Sequence, residues 1–185
     1  MTLTVAIKSI FNIEIDNDEL MRQYVVTGDS KLLARLYDNC ADDLYHYLVS
    51  HADKELANDV SQKTWLRVID KRHLYRSNGQ FRAWLFTLAR NQLMDEFRRI
   101  QRQPLSEPVD VVAQAIKDPG DDLQKRFDKA ITSLPFLQRE AFVLHHEGFG
   151  LQDIAQITGE PTETIKSRIR YAKKQLKRLL EMDHD

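Results

Sequence analysis

Seven basic side chains stand between residues 166 and 178: Lys166, Arg168, Arg170, Lys173, Lys174, Lys177 and Arg178. No acidic residue falls from 164 to 180. Threaded among them, Ile165, Ile169, Ala172, Leu176 and Leu179 step by four and three, the apolar stripe of an amphipathic helix. A helix over 161–180, entered after Pro161 with Thr162 as its N-cap, presses one face on a core and turns cations outward. Such a face suits phosphates, and arginine or lysine suits the acceptor edge of guanine. A second group gathers around 72–99. Arg72, Arg76 and Arg82 flank a loop that contains Tyr75, Ser77, Asn78, Gly79 and Gln80, and Arg90, Asn91, Arg98 and Arg99 follow. Amides, a hydroxyl and an aromatic beside cations suit an unstacked base and a displaced single strand.

Other chemistry finds little support. Adjacent His145 and His146, followed by Glu147, point about 100° apart on a helix and cannot share one ion as an i, i+4 pair would. No metal site and no cofactor is therefore expected, and a metal-dependent hydrolase built on His145 and Glu147 is a distant rival. There is no glycine-rich phosphate loop and no nucleophile elbow, so the chain does not read as an enzyme. The single cysteine, Cys40, lies beside Leu36 and Leu44 in a helical pattern, as a small core residue would. It suits a reducing cytoplasm. No run approaches the ~18 apolar residues of a membrane span. Residues 1–15 lack a small-residue cleavage site, so the expected localisation is cytoplasmic, without membrane insertion.

The formal charge of -1 conceals a block pattern. Residues 1–62 carry 5 basic and 11 acidic side chains, 67–102 carry 9 and 3, 103–122 carry 1 and 5, and 123–185 carry 11 and 9. Two basic blocks split by an acidic one suggest two contacts with a polyanion. Only six Gly and five Pro leave little turn chemistry for an all-β fold. The periodicity predicts an all-α chain. Asp16 or Asp18 caps a first helix that runs to about Thr27, before Gly28-Asp29. Ser30 caps a second, with Leu32, Leu33, Leu36, Tyr37, Cys40, Leu44, Tyr47 and Leu48 on its stripe. A third starts near Asp53 with Leu56, Val60, Thr64, Leu66, Val68 and Ile69 inward. A fourth runs from about Phe81 to Ile100, with Trp84 in its core stripe. After the Pro-rich, acidic stretch, helices return at about 123–133, 136–147 and 151–158, and Gly159-Glu160-Pro161 turns into the basic helix. A short helix, a Gly-containing turn and a basic helix make a helix-turn-helix pattern. The domains expected are a tail over 1–15, a helical domain over 16–102, an acidic linker over 103–122 and a helix-turn-helix domain over 123–185.

The phrase Phe81-Arg-Ala-Trp-Leu-Phe-Thr-Leu-Ala-Arg-Asn91, with Asn58-Asp-Val-Ser-Gln-Lys-Thr-Trp65 before it and Ile165-Lys-Ser-Arg-Ile-Arg-Tyr-Ala172 after it, resembles the extracytoplasmic-function sigma factors of the sigma-70 family. The resemblance covers about 18–102 and 123–182, in the family's order. It implies a promoter-specificity subunit whose partners are core RNA polymerase and promoter DNA. An anti-sigma factor usually holds such a protein silent. By resemblance, Glu163, Thr164, Lys166, Ser167, Arg168, Arg170, Tyr171 and Lys174 would face the upstream promoter element. Arg76, Ser77, Asn78, Gln80, Arg82, Arg90, Asn91 and Arg98 would serve downstream melting, and Glu55, Asn58, Asp59, Gln62 and Trp65 would meet core polymerase. Here the chain departs from the family, which usually reads roughly Asp-Ala-Glu-Asp-Leu-Val-Gln-Glu-Thr-Phe: Asn58 replaces the first Glu, Ser61 the Val and Lys63 the later Glu. Phosphorylation of Ser61 or Thr64 by a modifying kinase would restore negative charge there. The rival within DNA binding is an autonomous helix-turn-helix regulator that works without polymerase.

Overall fold

The computed structural model describes residues 16–76, 80–102 and 122–182, and these form helices joined by short turns. Helix α1 spans Asn17–Thr27 and stops at Gly28, whose φ of 67° is left-handed; its N–H donates to the Tyr24 carbonyl. Helix α2 spans Ser30–Val49. Its cap is Asp29, whose carboxylate accepts from the Lys31 N–H, so the expected Ser30 cap shifts by one residue: the carboxylate reaches the orphan donors from outside the first turn. Helix α3, Lys54–Lys71, is capped by Asp53 as the sequence implies, with Leu56 N–H donating to its Oδ1 at 2.8 Å. A 3-10 turn at Arg72–Leu74 leads toward α4, Phe81–Arg102. Then come α5 (Asp122–Thr132), α6 (Phe136–His146), α7 (Leu151–Thr158) and α8 (Thr162–Met182). Thr162 is the first residue of α8 and not its cap, since the Pro161 carbonyl already accepts from Ile165 N–H. The tail 1–15, Ser77 and Asn78, and residues 103–121 of the expected linker lie outside the described residues.

In the N-terminal unit α1, α2, α3 and α4 pack in succession around Leu20, Leu36, Leu44, Val60, Leu85 and Leu93. Cys40 is buried here, and desolvation pushes its thiol up to about 11, as suits an inert core residue. Asp18 ties the sheath of this core together. It accepts from the Tyr75 hydroxyl and, at 2.9 Å, from the Phe81 N–H, so it caps α4 across 63 residues rather than α1. Asp18→Ala orphans that N–H and the buried phenol. It should lower unfolding free energy by about 1–3 kcal/mol, read as a lower urea midpoint. Trp84 is half-buried against Tyr75 and Phe81, a packing role. Leu66 departs from expectation: it is 60% exposed, because it lies on the side of α3 opposite Val60, Thr64 and Val68.

The C-terminal unit folds α5, α6 and α7 against α8. Ala130, Ile131 and Leu134 meet Ala172 and Leu176, closing α5 onto the distal half of α8. Gly148 (φ 88°) and Gly159 (φ 72°) make the two tight turns either side of α7, both in a region that side-chain-bearing residues avoid. The two units also join. Helix α7 lies on α4, and Tyr47 and Phe86 share one continuous core with Leu144, Phe149 and Ile154. Helical periodicity within each unit does not announce this joint.

Candidate nucleic-acid interface

Helix α8 is built by its stripe. Ile165, Ile169, Ala172 and Leu176 are buried, and the opposite side carries Glu163, Lys166, Arg170, Tyr171, Lys173, Lys174, Lys177 and Arg178, all exposed. The Arg170 guanidinium lies over the Tyr171 ring, 5.2 Å from its centroid, a cation–π contact on the outer face. Lys166 lies 3.9 Å from Glu163 and Lys177 3.7 Å from Glu181, exposed pairs that solvent and salt readily loosen. Among the described residues, no carboxylate lies within ion-pair distance of Lys173, Lys174 or Arg178. Thr164 and Ser167 are half-buried at the edges of the stripe.

Arg168 is placed differently from the sequence expectation. Its side chain is 16% exposed, and Nη2 donates to Glu160 Oε1 at 2.9 Å, in the turn that precedes α8. One turn of helix brings it back over that turn, so in this conformation the guanidinium braces α8 instead of reaching outward. Lys166 and Arg170, either side of it in sequence, are the outward cations.

The face of α4 is divided. Arg76 and Asn91 are exposed, and Arg98 is exposed with a partner, Asp95, at 2.8 Å. Gln80 is half-buried at the start of α4, where its carbonyl accepts from Trp84 N–H. Arg82 and Arg90, expected on the melting surface, instead turn to acceptors. Arg82 donates to Asp43 at 2.7 Å and to the Glu147 carbonyl at 3.1 Å, and packs over the Phe149 ring. Arg90 makes a bidentate pair with Glu140, at 2.9 and 3.3 Å. Tyr47 donates its hydroxyl to the same Glu140 at 3.1 Å. Burial works against the Arg90 cation, but the Glu140 carboxylate outweighs it and the guanidinium titrates above its usual range. Burial, with Glu140 beside it, drives the Tyr47 phenol well above its own.

Glu140 was not a sequence candidate, though a signal existed. It stands at i, i+4 between Phe136 and Leu144 on the inward stripe of α6, and Arg90 stands four residues after Phe86. A charge on an apolar stripe at helical spacing needs a buried partner.

On α3, Glu55, Asn58 and Gln62 are exposed and Asp59 is half-buried. Two candidates lie inward, Thr64 where its place on the apolar stripe puts it and Trp65 against expectation. Trp65 is 7% exposed and packs on Tyr37 at 5.1 Å, so it is core, because it follows Thr64 and precedes Val68 on the buried side. Thr64 has no exposed surface, and its hydroxyl donates to the Val60 carbonyl at 2.7 Å, which closes it to a kinase in this conformation. Ser61 is half-buried. Lys63, at the position where the chain departs from the acidic pattern, bridges Asp59 at 2.6 Å and Glu96 at 2.7 Å, and Glu96 also pairs with Arg99. Lys63 and Arg99 hold the Glu96 carboxyl below its usual range, and the ammonium of Lys63 rises in turn, first through Asp59 and then Glu96. The lysine thus ties α3 to α4 and partly neutralises Asp59. His145 and His146 are exposed at the end of α6, where the His146 ring stacks on Phe142.

Comparison with known proteins agrees with this layout. Residues 36–103 match the family model for Sigma-70 region 2, and residues 124–176 match that for Sigma-70, region 4. The chain is similar to ECF RNA polymerase sigma factor EcfG of Rhodopseudomonas palustris, 33% identical over 141 residues that cover 74% of this chain and 76% of that one. It is similar to ECF RNA polymerase sigma factor RpoE of Cereibacter sphaeroides, 32% identical over 169 residues, 83% and 88% of the two chains. Among solved structures it resembles the sigma factor RpoE of a complex with the anti-sigma factor NepR from Bartonella quintana, with TM-score 0.68, 28% identity and coverage of 81% and 97%. The fold is also that of CnrH in its complex with the cytosolic domain of CnrY, with TM-score 0.70, 22% identity and coverage of 91% and 99%. A basic helix-turn-helix behind a helical unit with the region 2 pattern, in a chain a third identical to curated ECF factors, has one classification: the protein belongs to the extracytoplasmic-function RNA polymerase sigma factors of the sigma-70 family.

Proposed function

We propose a residue-level division of labour for this sigma factor. The outer face of α8, led by Lys166, Arg170 and Tyr171 with Glu163 and Lys174, reads the upstream promoter element in duplex DNA. Arg76, Gln80, Arg82, Arg90, Asn91 and Arg98, with Ser77 and Asn78, hold the melted downstream strand. Glu55, Asn58, Asp59 and Gln62 of α3 meet core polymerase. The chain supplies promoter choice and strand opening, while bond formation belongs to the polymerase; the site of action is the cytoplasm. An anti-sigma factor completes the partner set, as in the complex of the RpoE relative with the anti-sigma factor NepR.

The observation that carries this reading is the one-sided α8, whose buried stripe fixes which cations face out. Its proximal half is long enough to enter a major groove, at about 1.5 Å per residue, while the distal lysines follow the backbone. Reconstitution with core polymerase and run-off transcription across a promoter panel tests it. Arg170→Ala should reduce discrimination between matched and mismatched upstream elements by about 1–3 kcal/mol if it makes a bidentate base contact. Lys174→Ala should weaken all promoters alike and flatten the salt dependence. Unchanged selectivity for both Arg170→Ala and Lys166→Ala would refute the reading of α8. Specific promoter binding by the chain alone, with no gain on adding core, would favour an autonomous regulator.

A further inference from the structure

The start of α4 is held from outside its own stretch of sequence. Gln80 precedes the helix, and its carbonyl accepts the first helical bond, from Trp84 N–H. Glutamine is not among the residues that cap well from that position, where Ser, Asp or Asn would serve locally. Asp18 of α1 does that work instead, its Oδ1 accepting from Phe81 N–H at 2.9 Å. The same oxygen accepts from the Tyr75 hydroxyl, and the Gln80 backbone N–H bonds that hydroxyl in turn. Burial, and after it the Asp18 carboxylate, push the Tyr75 phenol above its usual range, so it keeps its proton and donates. The Tyr75 ring is wedged edge-on against Trp84 at 5.3 Å and Phe81 at 6.0 Å. Leu20 and Met21, without exposed surface, seat α1 on the core. One carboxylate oxygen thus gathers the chain at Tyr75 and again at Phe81. Arg76 and Gln80 each stand next in sequence to one of those two residues.

We propose that Asp18 is a positioning residue for the downstream promoter strand: it fixes Arg76 and Gln80 relative to α4, so that they meet an unstacked base in one arrangement. The proposal rests on the strand-holding role proposed for Arg76 and Gln80. A contact residue discriminates only when packing and hydrogen bonds hold it to within about 0.5 Å of its working place. A carboxylate at a helix N-terminus suits that duty, because its hydrogen bonds are charge-assisted and the helix dipole favours it. Capping from α1 also releases residue 80 from the need to be a capping type. An amide, able both to donate and to accept, can therefore stand at the helix entrance. Without the Asp18 carboxylate, Arg76 and Gln80 would be ordered by the DNA itself, at a cost in affinity for the correct base.

The test uses holoenzyme reconstituted with core polymerase. Competition between promoters with matched and substituted downstream elements reads discrimination, and 2-aminopurine placed at successive positions of that element reads base unstacking as fluorescence. Asp18→Ala should lower downstream discrimination about tenfold, as expected when two side chains must be ordered on binding. Upstream discrimination should stay at the parent value. Asp18→Asn keeps an oxygen acceptor in place and should retain nearly all of the discrimination and of the fluorescence rise, which Asp18→Ala should diminish. Tyr75→Phe, which removes one donor, should fall between them. Val60→Ala loosens the core of the same unit and should leave discrimination unchanged. An equal loss for Val60→Ala would overturn the proposal, since general destabilisation would then account for the effect. Undiminished discrimination in both Asp18→Ala and Tyr75→Phe would overturn it too; should Asp18→Ala not fold by circular dichroism, Tyr75→Phe alone decides. Arg76→Ala and Gln80→Ala report on the strand-holding role itself. A loss in these two with none in Asp18→Ala and Tyr75→Phe overturns the positioning alone, and no loss in any of the four overturns both.

Discussion

Phe86→Ala should destabilise the folded chain by about 3–5 kcal/mol, the usual cost of emptying a well-packed aromatic site. Phe86 has no exposed surface. Its ring lies 5.5 Å from Tyr47 within the N-terminal unit and 4.7 Å, edge to face, from Phe149 of the C-terminal unit. One substitution therefore opens a cavity on both sides of the joint. Phe149→Ala, from the turn at Gly148, removes only the far side and should cost less. Urea unfolding followed by circular dichroism measures both: the midpoint should fall while the slope stays put. A loss below about 1 kcal/mol for Phe86→Ala would mean that the ring is not packed as described.

How far such features could be read from sequence depends on the physics that creates them. Helices follow from local periodicity, and the expected starts and stops lie close to those observed for α1 to α8. Caps were less legible. Asp29 displaces Ser30 as the cap of α2, and Asp18, one of the two candidates for α1, instead caps α4 by reaching Phe81, 63 residues on, because a carboxylate can reach donors that sequence distance hides. Arg168 was legible in principle. At about 100° per residue it lies roughly 60° from Ile165, on the border of the buried stripe rather than on the outer face. Leu66 lies on the far side of α3 by the same count. In both cases residue type (a cation, a leucine) outweighed angle in the expectation, and angle decided the outcome.

The joint between the units belongs to another class. Nothing local distinguishes Glu140 from a solvated helix glutamate except its place between Phe136 and Leu144, and its partners come from α2 and α4, 93 and 50 residues away in sequence. Lys63 is similar. Its departure from an acidic family pattern looks like a weakened polymerase contact, yet it serves a cross-helix bridge to Glu96, 33 residues away. Sequence spacing reveals which side of a helix is wet; which charges find one another across the core depends on tertiary placement.

His51 yields the strongest pH dependence. The ring is fully buried at the joint, beside Tyr47 and Phe136. Nδ1 lies 2.8 Å from the Tyr47 carbonyl and 2.7 Å from Ser50 Oγ, whose own hydroxyl donates to that carbonyl, so Nδ1 carries the proton. Nε2 is then an unpartnered, buried lone pair. A second proton would create a cation there with no acceptor, in a dry site and within reach of Arg139 and Arg90. Burial dominates and lowers the imidazole to about 3; the Tyr47 carbonyl pulls the other way, and Arg139 and Arg90 add smaller downward contributions. In the unfolded chain the ring titrates near 6.5. Between those values the unfolded state binds a proton that the folded state refuses, so stability is full above about pH 6.5 and declines as the pH falls toward 3. The loss over the whole window is on the order of a few kcal/mol. Urea midpoints between pH 6.5 and 5, above the range where ordinary carboxylates titrate, isolate the effect. The parent should lose stability steadily with acid, while His51→Gln should start lower and show a flatter slope. Parallel slopes would show that His51 is not the buried neutral ring that this geometry requires.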